Sequence, residues 1–394
     1  MIPVSLSLPG ILSALGRGPE QTLAGLLAGD TRGMVAEPAP LGGGMFTVGR
    51  VAGELPPIPP ALARHDSRNN RLLMAAVEQL APQIEELRRR HERSRIGIVL
   101  GTSTSGVAEG EAALRAWKNA GALPPGFHYE QMEIGDPAVF LARLLELQGP
   151  AYTISTACSS GAKALVSASK MLQAGICDAV LTGAVDSLCA LTLCGFASLE
   201  SVSPQLCRPL SRTRNGINIG EGAALFVMTR GEGPVMLLGA GESSDAHHLS
   251  APHPQGLGAE LAMREALAGA GLAPGAVDYL NLHATATPKN DVVEAHAVAR
   301  VFLDGIAVSG TKALTGHALG AAGALEAAFC HLMLAAGDGR IAPHVWDGDA
   351  DPELPALDIV TPGRRFARSA GRALMSNSFA FGGNNVCLIL GDPR

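Results

Sequence analysis

Apolar residues recur at Leu73, Val77, Leu80, Ile84 and Leu87, steps of three and four that align them on one face of a helix over 68–91. Pro82 lies inside that span, so the helix is expected to kink or divide there. Next comes 95–100, a short apolar run that stops at Gly101 and reads as a buried parallel strand. A second strand, 151–154, leads into Thr156-Ala157-Cys158-Ser159-Ser160-Gly161, after which Leu165, Val166 and Leu172 form a helix stripe. A third strand is expected at 179–182.

From Val235 the alternation begins again, with a strand at 235–238, a helix at 258–270, a strand at 279–282 and a helix at 290–302. A further helix at 319–334 and closing strands at 372–375 and 386–390 complete it. Alternating strand and helix predicts an α/β fold with parallel sheets covered on both faces. The two passes predict a duplicated α/β unit with halves 1–234 and 235–394. Gly42-Gly43-Gly44 and the segment 55–60 read as loops.

Composition supports a large buried core. At roughly 100 to 200 residues per domain, 394 residues make two domains or two halves around one core. Charged residues are 17%, against a usual share of about 25%, and hydrophobic residues are 47%, which excludes a largely disordered chain. The net charge of −6 has no like-charge block behind it, so a nucleic-acid footprint is not supported. The uncharged opening from Met1 to Gly16 contains Pro9 and lacks a basic leader region, so neither a membrane span nor a signal peptide is expected and the protein reads as cytoplasmic. Seven cysteines without a C-x-x-C pair indicate neither a zinc site nor a disulfide framework. Most should be small buried hydrophobes.

Cys158 stands where a strand hands over to a helix, with small residues after it that permit a tight turn. A thiol there faces the unpaired amides and positive end of the helix, which would lower its pKa, and its own amide could stabilise an oxyanion. The plain alternative is an inert cysteine at a common type of turn. His283 closes the strand at 279–282, the sheet edge where α/β proteins hold ligands, and a hydroxyl-rich loop with Thr285 and Thr287 follows. It could equally be a structural hydrogen bonder. His317 sits in a glycine-bounded loop with Lys312 shortly before it, and Glu326 on the next helix is a candidate counter-charge for that lysine. His247, His248 and His253 lack ligand spacing for a metal. Neither glycine-rich patch, 239–241 or 316–323, spells a nucleotide-binding motif. The run 376–385 contains paired glycines that would let an amide approach a reacting atom, or simply a hairpin turn.

In this order the motifs resemble the elongating β-ketoacyl-acyl carrier protein synthases. The likeness runs from Gly10-Ile11-Leu12-Ser13 to the last strand. It is carried by the Cys158 turn, Arg208-Pro209 through Gly220-Glu221-Gly222-Ala223, the His283 loop, Lys312 to His317 with Leu319-Gly320-Ala321-Ala322-Gly323, and Phe379 to Asn384. The resemblance implies a thiolase-like α/β/α/β/α fold of five layers, normally a homodimer. It implies that Cys158 accepts an acyl chain from acyl carrier protein. His283 and His317, both neutral, would bind the malonyl thioester carbonyl during decarboxylation, and the carbanion would attack the acyl-Cys158. The amides of Cys158 and Phe381 would form the oxyanion hole. The Phe379–Phe381 loop would gate entry, Lys312 would orient the histidines, and Thr285 and Thr287 would hold the pantetheine arm. No cofactor is implied beyond the pantetheine carried by the partner. Asn281, Glu326, Ser376 and Asn377 match positions that hold a structural Na or K ion in some relatives. Arg64, Arg68 and Arg71, at helical or near-helical spacing, fall where relatives dock the acidic carrier.

Two positions depart from the family pattern: Ala284 and Ala380 stand where it usually has glycine. The stretches Ser67-Arg68-Asn69-Asn70-Arg71 and Leu100 to Gly106 look most like a subgroup of aryl-polyene or similar specialised lipid pathways. That likeness implies an acyl pocket near Thr102 and Thr104 and a possible heterodimer with a chain-length partner. Two other readings stand beside it. A silent chain-length partner would lack the nucleophile. A thiolase would need a second cysteine base near the C-terminal glycine loop, and Cys387 lies beyond that loop.

Overall fold

The computed structural model describes residues 3–40, 42 and 44–392. Gly43, within the expected 42–44 loop, lies outside the described residues. In the N-terminal half, strand Ile96–Gly101 pairs in parallel with both Ala151–Ile154 and Ala179–Asp186. In the C-terminal half, Ala373–Phe379, Tyr279–Asn281, Ala307–Ser309 and Asp358–Ile359 are parallel neighbours.

The expectation of wholly parallel sheets is corrected by three other strands. Gly222–Arg230 runs antiparallel to Ala179–Asp186, and Asn384–Gly391 runs antiparallel to both Ala373–Phe379 and Met236–Ser244. Only Ala380 and the short turn Phe381–Gly383 link Phe379 to Asn384. A parallel crossover needs roughly a dozen residues or more, so this link can join antiparallel strands only. The short strand Val4–Leu6 pairs with Gly222–Arg230 on one side and Met236–Ser244 on the other, which makes the two sheets continuous.

Strand alternation sorts side chains into three main cores. Ile96, Ile98 and Leu100 pack outward with Leu72, Leu73 and Phe140, while Val99 between them packs inward. On the other sheet Cys387 and Ile389 face an outer core with Met263 and Ala266, and Val386, Leu388 and Leu390 face inward. Helices Ser160–Gln173 and Ala322–Ala336 fill the space between the sheets, with Arg68–Glu78 and Asp136–Leu144 outside one and Leu257–Ala270 and Pro288–Val301 outside the other. These are the five layers expected. The stretch Leu319–Ala336 is long and apolar enough to cross a membrane, but 89% of it is buried inside the fold.

The 68–91 helix divides into Arg68–Glu78 and Ala81–Arg90, with Pro82 in the first turn of the second, where its missing N–H costs nothing. The sequence reading passed over several elements, among them Pro19–Ala28, Val107–Ala120, Asp136–Leu144 and Gly222–Arg230. Gly222–Arg230 is buried on both faces over most of its length, which erases the alternation that marks a half-exposed strand.

Candidate active site

After strand Ala151–Ile154 the chain turns at Ala157, whose φ of 52° is unusual for a residue with a side chain. The turn is held by Ser160, whose hydroxyl donates to the Ala157 carbonyl at 2.6 Å and accepts from the Thr156 amide at 2.9 Å. Cys158 follows, 4% exposed, with Ser159 at the N-cap of helix Ser160–Gln173. Gly161 lets the helix start lie against the second half: a Cβ there would fall 2.8 Å from the Ala324 nitrogen.

The fold brings both histidines to this cysteine. His317 Nε2 lies 3.0 Å from Cys158 Sγ, and the His283 and His317 rings meet edge to face with centroids 5.3 Å apart. Cys158, His283 and His317 each place one ligand-type atom within 4.8 Å of the others. The main chain anchors His317, whose amide donates to the Asn218 carbonyl at 2.6 Å while its carbonyl accepts from Gly220 at 3.0 Å. Lys312 Nζ donates to the His283 carbonyl, lies 3.4 Å from His283 Nδ1 and pairs with Glu326 Oε1 at 2.5 Å.

Two carboxylates that the sequence reading passed over shape the His283 loop. Glu294 accepts from the amides of His283 at 2.8 Å and Ala284 at 2.7 Å, and Asp291 accepts from Ala286 at 3.1 Å and Leu210 at 2.8 Å. Their three-residue spacing on helix Pro288–Val301, directly after the histidine loop, was the available signal.

Burial sets the protonation states. It pushes the Cys158 thiol up to about 11, while the Lys312 cation and the amides of Phe381 and Cys158 pull it part of the way back. The expectation of a thiol acidified by the helix start is therefore corrected: burial outweighs the amides and the Lys312 charge, and the net shift is upward. Burial, then the Lys312 charge, holds both His283 and His317 well below the usual histidine range, so both are neutral. Glu326 and Glu294 are each pushed up to about 7 by burial.

A cavity of about 320 Å³ opens onto Cys158 and is lined by His283, His317, Thr285, Thr287, Phe379 and Phe381, among others. The Phe381 ring packs against Phe196 at 5.4 Å, and the Gly382 amide donates to the Leu249 carbonyl at 2.7 Å. The two alanines that replace family glycines differ in strain. Ala284 adopts φ 34°, where glycine is favoured, whereas Ala380 is extended at φ −106°, ψ 154°, which any residue accepts. Thr102 and Thr104, expected beside an acyl pocket, are buried with both hydroxyls bonded to Asp186.

Asn281, Ser376 and Glu326 are buried, the first two opposite each other on paired strands. Among the described residues Glu326 Oε2 and Ser376 Oγ have no hydrogen-bond partner. The Asn377 side chain does not join them, because strand alternation turns it to the other face, where it donates to Glu294 at 3.1 Å. The three arginines expected at the carrier-docking surface each have an acidic partner. Arg64 pairs with Glu130, Arg71 with Asp66 at 2.6 Å, and Arg68 Nε with the wholly buried Glu221 at 2.8 Å. Cys387 is buried in the outer core, apart from the Cys158 group, and does not supply a thiolase base. His247 and His253 stack edge to face, and His248 accepts amides of its own loop.

A buried cysteine with two neutral histidines, at the meeting of two α/β halves, defines a carbon–carbon condensing enzyme of the thiolase-like fold. The chain belongs to the β-ketoacyl synthase family: the family models for the Beta-ketoacyl synthase N-terminal and C-terminal domains match residues 27–233 and 235–345. It is similar to a mitochondrial 3-oxoacyl-[acyl-carrier-protein] synthase of Arabidopsis thaliana, 34% identical over 76% of this chain and 68% of that one. A 3-oxoacyl-[acyl-carrier-protein] synthase 2 of Staphylococcus aureus is also 34% identical, over 75% of this chain and 76% of its own length. Among solved structures, the ketosynthase ApeO in complex with its chain length factor ApeC, from Xenorhabdus doucetiae, matches with a TM-score of 0.95 and 42% identity, covering 100% of this chain and 98% of that one.

Proposed function

We propose that the protein carries out decarboxylative condensation of an acyl group held on Cys158 with a malonyl group, both delivered by an acyl carrier protein, to give a β-ketoacyl product. The observation that carries this reading is the meeting of Cys158, His283 and His317 within 4.8 Å at the base of the cavity. The Cys158 sulfur attacks the acyl thioester, its proton goes to the departing carrier sulfur, which leaves as the thiol, and His317 Nε2–H donates to the Cys158 sulfur as the carbon–sulfur bond forms. A malonyl thioester then enters past Thr285 and Thr287. Loss of carbon dioxide leaves an enolate oxygen that His283 and His317 stabilise by hydrogen bonds. The enolate carbon attacks the acyl-Cys158 carbonyl, whose oxyanion faces the amides of Cys158 and Phe381. Collapse returns the thiolate, which takes up a proton. Lys312, locked to the His283 carbonyl and to Glu326, keeps the histidines neutral and oriented.

The halves 1–234 and 235–394 supply the nucleophile and the histidines respectively. A specialised polyene or polyketide-type pathway, with assembly beside a chain-length partner rather than as a homodimer only, is favoured by the 42% identity to a ketosynthase seen with its chain length factor. The ishigamide ketosynthase/chain length factor, 27% identical over the whole chain with a TM-score of 0.88, supports the same reading. The enzyme acts in the cytoplasm and needs no cofactor of its own.

Intact-protein mass spectrometry after mixing with saturated and conjugated polyenoyl carrier proteins tests both parts. The wild type should gain one acyl group, with preference for the polyenoyl chain, and Cys158→Ala should gain none. An acylated Cys158→Ala would overturn the nucleophile, and preference for the saturated chain would overturn the pathway.

A further inference from the structure

Asp186 ends strand Ala179–Asp186 and is wholly buried. Its Oδ1 accepts from the hydroxyls of Thr102 at 2.6 Å and Thr104 at 2.8 Å and from the amides of Ser103 at 2.8 Å and Thr104 at 2.9 Å. Its Oδ2 accepts from the Gly320 amide at 2.6 Å. The first four donors belong to the turn after strand Ile96–Gly101 in the N-terminal half, whereas Gly320 follows His317 in the C-terminal half. The same turn reaches the nucleophile: Ser103 Oγ lies 3.4 Å from the carbonyl of Ala157, the positive-φ residue before Cys158. Only glycine allows this approach, since a Cβ on residue 320 would fall 2.7 Å from Ser103 Oγ and 2.8 Å from Asp186 Oδ2.

We propose that Asp186 is a positioning residue for the condensation: one buried carboxylate ties the turn beneath Cys158 to the turn that carries His317, and so fixes the sulfur–imidazole contact between the two halves. This rests on the roles given above to Cys158 and His317. A carboxylate is required because both oxygens face donors only. An amide would turn its NH₂ toward either the Gly320 N–H or the Thr102–Thr104 donors. No lysine or arginine pairs with Asp186 among the described residues, so those hydrogen bonds alone compensate its burial. Its charge also raises the Cys158 pKa, while that of Lys312 lowers it.

The test is Asp186→Asn in the full-length chain, with steady-state kinetics, a thermal melt and the pH profile of Cys158 alkylation by iodoacetamide. The expected result is a fall in kcat of about tenfold or more, the scale of a misplaced catalytic group, with KM for the acyl carrier protein kept within about threefold. Alkylation should move to lower pH, because the charge that raises the thiol is gone. Wild-type kcat would overturn the proposal, and so would a lower kcat that tracks only the loss of folded protein while the alkylation profile stays in place. If Asp186→Asn cannot be recovered folded, Thr102→Val decides. It keeps the charge but removes one donor, and should lower kcat a few-fold without moving the alkylation profile, whereas unchanged kcat would overturn the proposal. Acylation of Cys158→Ala would instead strike at the nucleophile and leave these comparisons intact.

Discussion

His317 touches the sulfur and His283 lies one ring away, so the two side chains act on the same reacting atoms from neighbouring loops. Replacing either with alanine should cost about 2.7 to 4 kcal/mol in decarboxylation, by comparison with loss of one oxyanion-hole donor, while acyl loading falls less. Carbon dioxide release from the malonyl carrier measures it, and a wild-type rate in His317→Ala would remove that role. Arg68 is a different case, for its guanidinium lies against Glu221, a carboxylate with no exposure. Removing one member of a buried pair costs about 3 to 5 kcal/mol, and here roughly 2 to 3, because Arg68 is partly exposed and Arg50 stays 3.6 Å from Glu221. Arg68→Ala should therefore lower the urea midpoint while leaving KM for the carrier near wild type. A raised KM at unchanged stability would instead assign Arg68 to carrier docking.

The two loops that meet over Cys158 differ in how their backbones are held. The His283 loop is pinned by the carboxylates of helix Pro288–Val301, which keeps Ala284 in a left-handed conformation that costs a residue with a Cβ on the order of 1 kcal/mol. Ala284→Gly should be neutral to about 1 kcal/mol stabilising, the strain relief being offset by the greater freedom of glycine in the unfolded chain. Ala380 has no strain to relieve, so Ala380→Gly should cost about 0.5 to 1 kcal/mol and loosen the Phe381 gate. Urea midpoints of the two variants measured together check this contrast, and equal shifts would contradict it. Helix Ala322–Ala336 poses the opposite problem to a sequence reading. It is buried nearly all round, so its hydrophobicity shows that it is interior but not which face meets which sheet.

Across the molecule, burial of titratable groups couples stability to pH in opposing directions. His331, on the central helix, is held at about 4 by burial against an ordinary value of 6.5. A depressed histidine contributes fully above its unfolded pKa, and that contribution is lost as pH falls from 6.5 toward 4, on the order of 3 kcal/mol in all. Glu294, raised to about 7, works the other way and loses stability as pH rises, so the wild type alone cannot isolate the histidine. The difference between His331→Leu and wild type should shift in favour of the variant as pH drops through that window. A difference independent of pH would show that His331 is not buried neutral. The sequence by itself determined the alternating α/β pattern, the restart near Val235, the strand-to-helix turn at Cys158 and the order of the histidine loops, because each is written in neighbouring residues. Only the tertiary structure decided which strands run antiparallel, the thiol's upward shift, the pairing of Arg68 with Glu221 and the bridge at Asp186. Those depend on what lies across the fold and on how far each group is removed from water, and neither is carried by local spacing.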